Sequence, residues 1–190
     1  RPFIGQAGSF VRTANRHDFS LEPPENVLDF IRQAGQKVVG VGKIKDIFAG
    51  RGIDESFPIK NNRDGMEKTL EIIRDQSFAG LIFINLVDFD QQFGHRNDPL
   101  GYARALEEFD SLLPGVMAAM TDDDILFITA DHGCDPTTVS TDHSREQVPL
   151  LVYGTTVKAG TPLLVRTSFA DLGQTVAEYL GVSADKAAGE

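Results

Sequence analysis

The sequence predicts an α/β fold with a mostly parallel sheet and helices on both faces. Two observations predict it. Apolar runs of strand length alternate with segments whose apolar residues recur at helical spacing, the pattern of strands joined by covering helices. The polar residues best suited to chemistry fall directly after two of these runs, where open α/β sheets keep their sites. A chain of 190 residues, 41% hydrophobic and 24% charged, has the length and composition of one soluble globular domain with a sizeable core.

The elements follow in order. The opening stretch contains Gly5, Gly8, Arg12, Thr13, Asn15, Arg16, His17 and Asp18 and is too polar and too short to fold alone, so it reads as the end of something larger. Leu21-Glu22-Pro23-Pro24 breaks the composition and divides residues 1–21 from 22–190. Val38 to Val41 is a short apolar run. Arg63 to Asp75 carries Met66, Leu70 and Ile73 at helical spacing, and Gly80 to Val87 is a strand. Pro99 to Met120 forms a long helix with Leu106, Phe109, Leu113 and Met117 on one face. Ile125 to Thr129 and Val148 to Tyr153 are strands separated by a polar loop, and Phe169 to Leu180 is a last amphipathic helix closed by Gly181. There is no internal repeat and no low-complexity stretch.

Charge and composition exclude several classes of partner. Eighteen basic and 28 acidic residues give a net charge of −10, which argues against nucleic acid and against anionic membranes. No apolar window is long enough to cross a bilayer and no signal-peptide pattern opens the chain, so a cytoplasmic location is expected. The single cysteine, Cys134, excludes an internal disulfide and reads as a small buried filler.

Three of the four histidines sit where a dinuclear metal site needs them. They occur in Asp88-Phe89-Asp90 with His95, in Asp131-His132-Gly133, and in Asp142-His143-Ser144. Divalent cations of hard to borderline character take anionic oxygen together with neutral imidazole nitrogen, and both lie within about fifty residues of sequence. A satisfied structural histidine is the ordinary alternative for any one of them. Three, each beside an acid, make that reading improbable for all at once. Asp88 and Asp90, two apart on an extended run, face the same way, so one is free to ligate while the other accepts a hydrogen bond. Asp122, Asp123 and Asp124 read as a solvated turn.

Four stretches carry a family resemblance: Phe10 to Ser20 (Phe-Val-Arg-Thr-Ala-Asn-Arg-His-Asp-Phe-Ser), Val41 to Phe48 (Val-Gly-Lys-Ile-Lys-Asp-Ile-Phe), Asn85 to Asp90 with Gly94-His95-Arg96, and Thr129 to Pro136 (Thr-Ala-Asp-His-Gly-Cys-Asp-Pro). Together they resemble the phosphopentomutase family of the alkaline phosphatase superfamily, over nearly the whole chain. Asp-His-Gly after a strand is common to the superfamily, whereas Arg-Thr-x-Asn-Arg-His-Asp and Val-Asp-Phe-Asp in this order are more specific and speak against a phosphoglycerate mutase or a phosphatase.

The resemblance implies an alkaline-phosphatase-like core and an isomerase that interconverts ribose or deoxyribose 1-phosphate and 5-phosphate. It implies two manganese ions, a threonine that carries the phosphoryl group, and a bisphosphate intermediate. Asp90, His95 and His143 resemble the ligands of one ion, and Asp131 and His132 part of the set for the other. The nucleophilic threonine and a further metal-ligating aspartate belong to the amino-terminal half of the family, which this chain does not contain, so no catalytic nucleophile is expected among Thr137, Thr138 and Thr141. Residues 1–21 correspond to the end of a cap domain and 22–190 to the second half of the metal-binding core. Arg12, Arg16 and Lys43 are the candidates for the substrate phosphate, a role for which arginine's planar fork is suited. On residue type alone they are surface ion-pair residues, and His17 is as readily a structural hydrogen-bond partner as a substrate contact. The remaining alternative is a metal-binding piece without turnover, its partner being the absent half.

Overall fold

The computed structural model describes residues 3–12, 20–75 and 77–184, Arg12 by its backbone alone. Its centre is β3 (Lys37–Val41), whose Val38, Val39 and Val41 are at most 1% exposed. A strand apolar on both faces needs a cover on each, and β3 has parallel neighbours on both edges: β4 (Glu55–Phe57) and β5 (Gly80–Ile84), in the order β4-β3-β5. The crossovers carry helices, the short α2 (Ile44–Ile47) after β3 and α3 (Asn62–Asp75) after β4.

One face of the sheet is covered by α1 (Val27–Gln33) and α5 (Ala170–Tyr179), where Leu28, Phe30, Ile31, Val38 and Ala177 form a common core. Asn26 caps α1: its side chain accepts from the Leu28 N–H while Asp29 accepts from the Asn26 N–H. On the opposite face α3 approaches closely through Gly65, where a side chain would collide with Leu86 and Ile59. The long α4 (Pro99–Ala119) packs beside α3. It opens with Asp98 accepting from the Gly101 N–H and with Pro99 in the first turn, where its missing N–H costs nothing.

The buried stripe of α4 is Gly101, Ala105 and Val116, with Phe109, Leu113 and Met117 half-buried and Leu106 50% exposed. Small residues, not the expected Leu106, mark its inner side.

The last two strands depart from a parallel arrangement. β6 (Leu126–Thr129) and β7 (Leu150–Tyr153) pair antiparallel with each other, Leu126 opposite Tyr153 and Thr129 opposite Leu150. A parallel pair needs a long crossover, usually a helix, and the connection from Ala130 to Pro149 contains none. Near the start, β1 (Phe3–Ile4) and β2 (Val11–Arg12) make a small antiparallel ribbon. Among the described residues no helix is long and apolar enough to cross a membrane.

Candidate metal centre

Beyond β5 the chain does not stay extended. Asp88 is already helical (φ −66°, ψ −32°), followed by a π-helical turn (Phe89–Phe93) and a 3-10 turn (Gly94–Arg96). Asp88 and Asp90 therefore do not face the same way, contrary to the reading of an extended run, and their tasks separate. Asp88 Oδ2 accepts from the Asn62 N–H at 2.7 Å and the Asp88 N–H donates to Asn62 Oδ1 at 3.0 Å, which ties the end of β5 to the start of α3. Asp90 points elsewhere, toward histidines.

The ligand-capable atoms of Asp90, His95 and His143 all lie within 4.8 Å of one another. Asp90 Oδ1 is 3.0 Å from His95 Nε2 and 3.4 Å from His143 Nε2. On the far side of its ring, His95 Nδ1 bonds the carbonyl oxygen of Thr141. A carbonyl only accepts, so Nδ1 carries a proton in this bond, and Nε2 is the ring nitrogen left to face Asp90 and to ligate. Nitrogen and carboxylate oxygen at this separation are joined through a shared proton or through a metal ion between them.

The donor set tests well against a divalent ion. Two imidazole nitrogens and one carboxylate oxygen suit manganese, zinc and their neighbours. Ligands about 2.1 Å from one ion at roughly right angles stand about 3 Å apart, close to the 3.0 and 3.4 Å that separate Asp90 Oδ1 from the two imidazole nitrogens.

Asp131 and His132, at the end of β6, lie beside this trio rather than in it. The His132 ring stacks on His143 with centroids 3.6 Å apart and planes at 19°, while its Nδ1 lies 3.0 Å from the Gly133 carbonyl oxygen and its Nε2 3.7 Å from Asp131 Oδ1. The Asp131 side chain is 67% exposed. An isolated bridge between Gly133 and Ser144, with Ser144 Oγ accepting from the Asp135 N–H, holds the two histidine-bearing stretches side by side. All five expected ligands thus share one surface patch.

Cys134 fills the space behind it. Its Sγ lies 4.0 Å from Asp90 Oδ1. Burial first, then the carboxylates of Asp90, Asp135 and Glu146, push its pKa upward, so it stays a neutral thiol and packs as a filler. Asp135 is held below the usual carboxylate range by hydrogen bonds from the Thr137 hydroxyl and N–H, which keeps this turn closed.

Of the expected phosphate contacts, Lys43 is half-buried just after β3 and makes no ion pair among the described residues. A side chain on Gly42 beside it would collide with the Asn85 carbonyl oxygen, and the Asn85 N–H donates to the Val41 carbonyl at 3.0 Å, so the ends of β3 and β5 are in contact there. The Arg12 side chain, Arg16 and His17 lie outside the described residues.

The Thr141 carbonyl and Gly94 contribute to the site without being ligand types that a sequence singles out. The Thr141 carbonyl belongs to the backbone and leaves no mark in the side-chain pattern. Gly94 leaves one: a glycine directly before His95, close to Asp90 and Cys134.

The sequence profile of the Metalloenzyme superfamily matches residues 27–184. A protein of Desulfitobacterium hafniense (strain DSM 10664 / DCB-2) named phosphopentomutase is 60% identical over 182 residues, which are 95% of this chain and 47% of that protein. One of the same name from Thermotoga maritima is 56% identical over 183 residues, 96% of this chain and 47% of its own. The chain spans about half the length of the curated relatives it matches. Among solved structures, the PH0037 protein from Pyrococcus horikoshii has a similar fold, with TM-score 0.62 and 19% identity over 84% of this chain and 52% of its own. Phosphoglycerate mutase of Leishmania mexicana, solved at low cobalt concentration, gives TM-score 0.61 and 18% identity over 83% of this chain and 37% of its own. A profile match over most of the chain, on a fold that similar structures share, places this chain in the metalloenzyme superfamily.

Proposed function

We propose that this chain forms the second half of a phosphopentomutase, in which Asp90, His95 and His143 hold one divalent cation and Asp131 and His132 supply part of the shell of a second. The observation that carries the reading is the inward convergence of one carboxylate and two imidazoles, with His95 held in the ligating tautomer by the Thr141 carbonyl. Relatives named phosphopentomutase at 54–60% identity support the choice of reaction. Manganese is the proposed ion for both positions, a sugar phosphate of the pentose class the substrate, and the cytoplasm the place.

A pair of such cations, when bound, neutralises charge on a phosphoryl group in transfer and lowers the pKa of the attacking hydroxyl. The residues of this chain prepare that environment. Asp90 offsets metal charge, and the Thr141 carbonyl keeps the His95 lone pair directed inward. His132, flat against His143, limits that ring's rotation. Asp88 takes no part in ligation and anchors the strand end. Lys43 with Arg12 and Arg16 are proposed to bind the substrate phosphate outside the cation pair. The phosphoryl-carrying threonine is proposed to come from the half of the family that this chain does not span. Residues 1–21 are proposed to close a cap domain and 22–190 to form core.

The test follows phosphorus-31 resonances of ribose 5-phosphate with manganese and a sugar bisphosphate activator, in the full-length protein that carries this sequence. Interconversion with ribose 1-phosphate is expected, with a loss of at least about 100-fold on His143→Ala. Release of inorganic phosphate without interconversion would instead mark a phosphatase.

A further inference from the structure

We propose that Asn97 is a positioning residue of this site, and that its carboxamide holds the His95 segment against the His143 loop so that both rings meet Asp90. The inference rests on the reading of Asp90, His95 and His143 as a divalent-cation site. Asn97 comes two residues after His95 and directly before Asp98, the cap of α4. Its φ of 51° and ψ of 42° are left-handed, a conformation asparagine tolerates better than most residues with a side chain.

Its Nδ2 donates to the carbonyl oxygens of Thr138 at 2.6 Å and Ser140 at 3.0 Å, which uses both amide protons. The neighbouring carbonyl, that of Thr141, accepts a hydrogen bond from His95 Nδ1. Three bonds therefore run from residues 95–97 to residues 138–141, and His143 follows two positions later.

The loop from Ala130 to Pro149 has no helix or strand of its own. Among the described residues, the side chains from outside this loop that bond its backbone are those of His95 and Asn97. His95 is itself a ligand that needs orienting. Asn97 is the remaining tie, and it is seated between the capped start of α4 and the 3-10 turn that carries His95. The residue type follows from two demands met at once. Aspartate tolerates the turn but would aim lone pairs at two carbonyls, and glycine keeps the turn but has nothing to donate.

Asn97→Gly separates the two roles. Cobalt(II), whose visible absorption reports its ligands, is titrated into the full-length protein that carries this sequence, into N97G and into H143A, with thermal unfolding of each metal-free protein measured alongside. N97G is expected to bind cobalt about 10- to 100-fold more weakly than the parent. Its absorption is expected to be weak, as for a hydrated ion, while the metal-free unfolding midpoint stays near that of the parent. Parent-like affinity and spectrum in N97G would overturn the proposal, since the turn alone would then suffice. Should N97G fail to fold, Asn97→Asp decides in the same way: weakened binding supports the carboxamide's role and parent-like binding overturns it. A parent that binds no cobalt, or binds it no better than H143A, refutes the cation reading of the trio and this proposal with it. Parent binding that H143A loses and N97G keeps refutes the role of Asn97 alone.

Discussion

Gly94 shows how a single absent side chain can decide a site. Its backbone is right-handed helical (φ −59°, ψ −61°), a conformation alanine adopts freely, so nothing in the main chain demands glycine. Space does. A Cβ at this position would lie 2.1 Å from Cys134 Sγ, with the Phe89 carbonyl oxygen 3.1 Å away on another side. The sulfur ends a short, half-buried side chain that joins the Asp131-His132 stretch to the Asp90-His95 turns, so the collision has to be relieved by moving one of the two. Gly94→Ala is expected to lower divalent-ion affinity about tenfold or more through displacement of the neighbouring His95. With Cys134→Ala added, the new methyl faces the Cys134 Cβ at an ordinary 3.6 Å, and most of the lost affinity should return. Calorimetric titration of the parent, the two single variants and the double variant checks this. Additive losses would show that Gly94 and Cys134 act separately.

At the scale of elements, Asp54 joins three of them. It stands just before β4, its Oδ1 accepting from Arg32 Nε of α1 at 2.7 Å and its Oδ2 from the Val38 N–H of β3 at 2.9 Å. Partial burial works against its charge, but the hydrogen bonds from Val38 and Arg32, helped by the charges of Arg32 and Lys37, outweigh it and hold its pKa below the ordinary carboxylate value. A lowered folded pKa means that the unfolded chain binds the proton more readily. The contribution to stability is therefore complete above about pH 4, the unfolded value, and is lost as pH falls through the lower folded value. Asp54→Asn should destabilise the fold at neutral pH and flatten the acid limb of its stability curve. Urea unfolding of both proteins from pH 3 to 6 checks it, and parallel curves would exclude the role.

The elements most legible in the sequence were those with one clear pattern: the apolar run of β3, the helical spacing of α3, and α4 with its proline-led start. Antiparallel pairing of β6 with β7 is less legible, because strand direction is set by the connection, and a polar loop rich in ligand types does not announce the absence of a helix. In the candidate site, the ligand-capable residue types could be read directly. Of the five, only Asp131 and His132 closely follow a strand, while Asp90 and His95 lie in helical turns and His143 in the loop. The division of labour between Asp88 and Asp90 could not be read, since it depends on the chain turning helical immediately after Val87, where two residues of spacing no longer means one face.

The whole molecule raises the question of what these 190 residues do by themselves. Under the proposed function they hold cation ligands and phosphate contacts but no phosphoryl carrier, and a mutase moves the group within one sugar without releasing it to water. The threonines in the loop that carries His132 and His143 offer little substitute. Thr137 Oγ1 donates to Asp135 Oδ1 at 2.7 Å and Thr138 Oγ1 to the Asp135 carbonyl at 3.0 Å, so both hydroxyls are engaged in closing their own turn, while Thr141 serves His95 through its carbonyl. Strand pairing points the same way. Among the described residues β5 is paired only with β3, and β6 only with β7, so each strand that leads into the site presents an unpaired edge. Edges of this kind invite pairing with other chains. A polypeptide of these residues alone should therefore show no interconversion of ribose phosphates with manganese and a bisphosphate activator, and should self-associate in light scattering. Supplying the other half of a relative's sequence as a second polypeptide should reduce the association and restore turnover. Turnover by the 190 residues alone would refute this and would locate a nucleophile within them, with Thr141, whose hydroxyl is not engaged by the Asp135 turn, the first position to replace by valine.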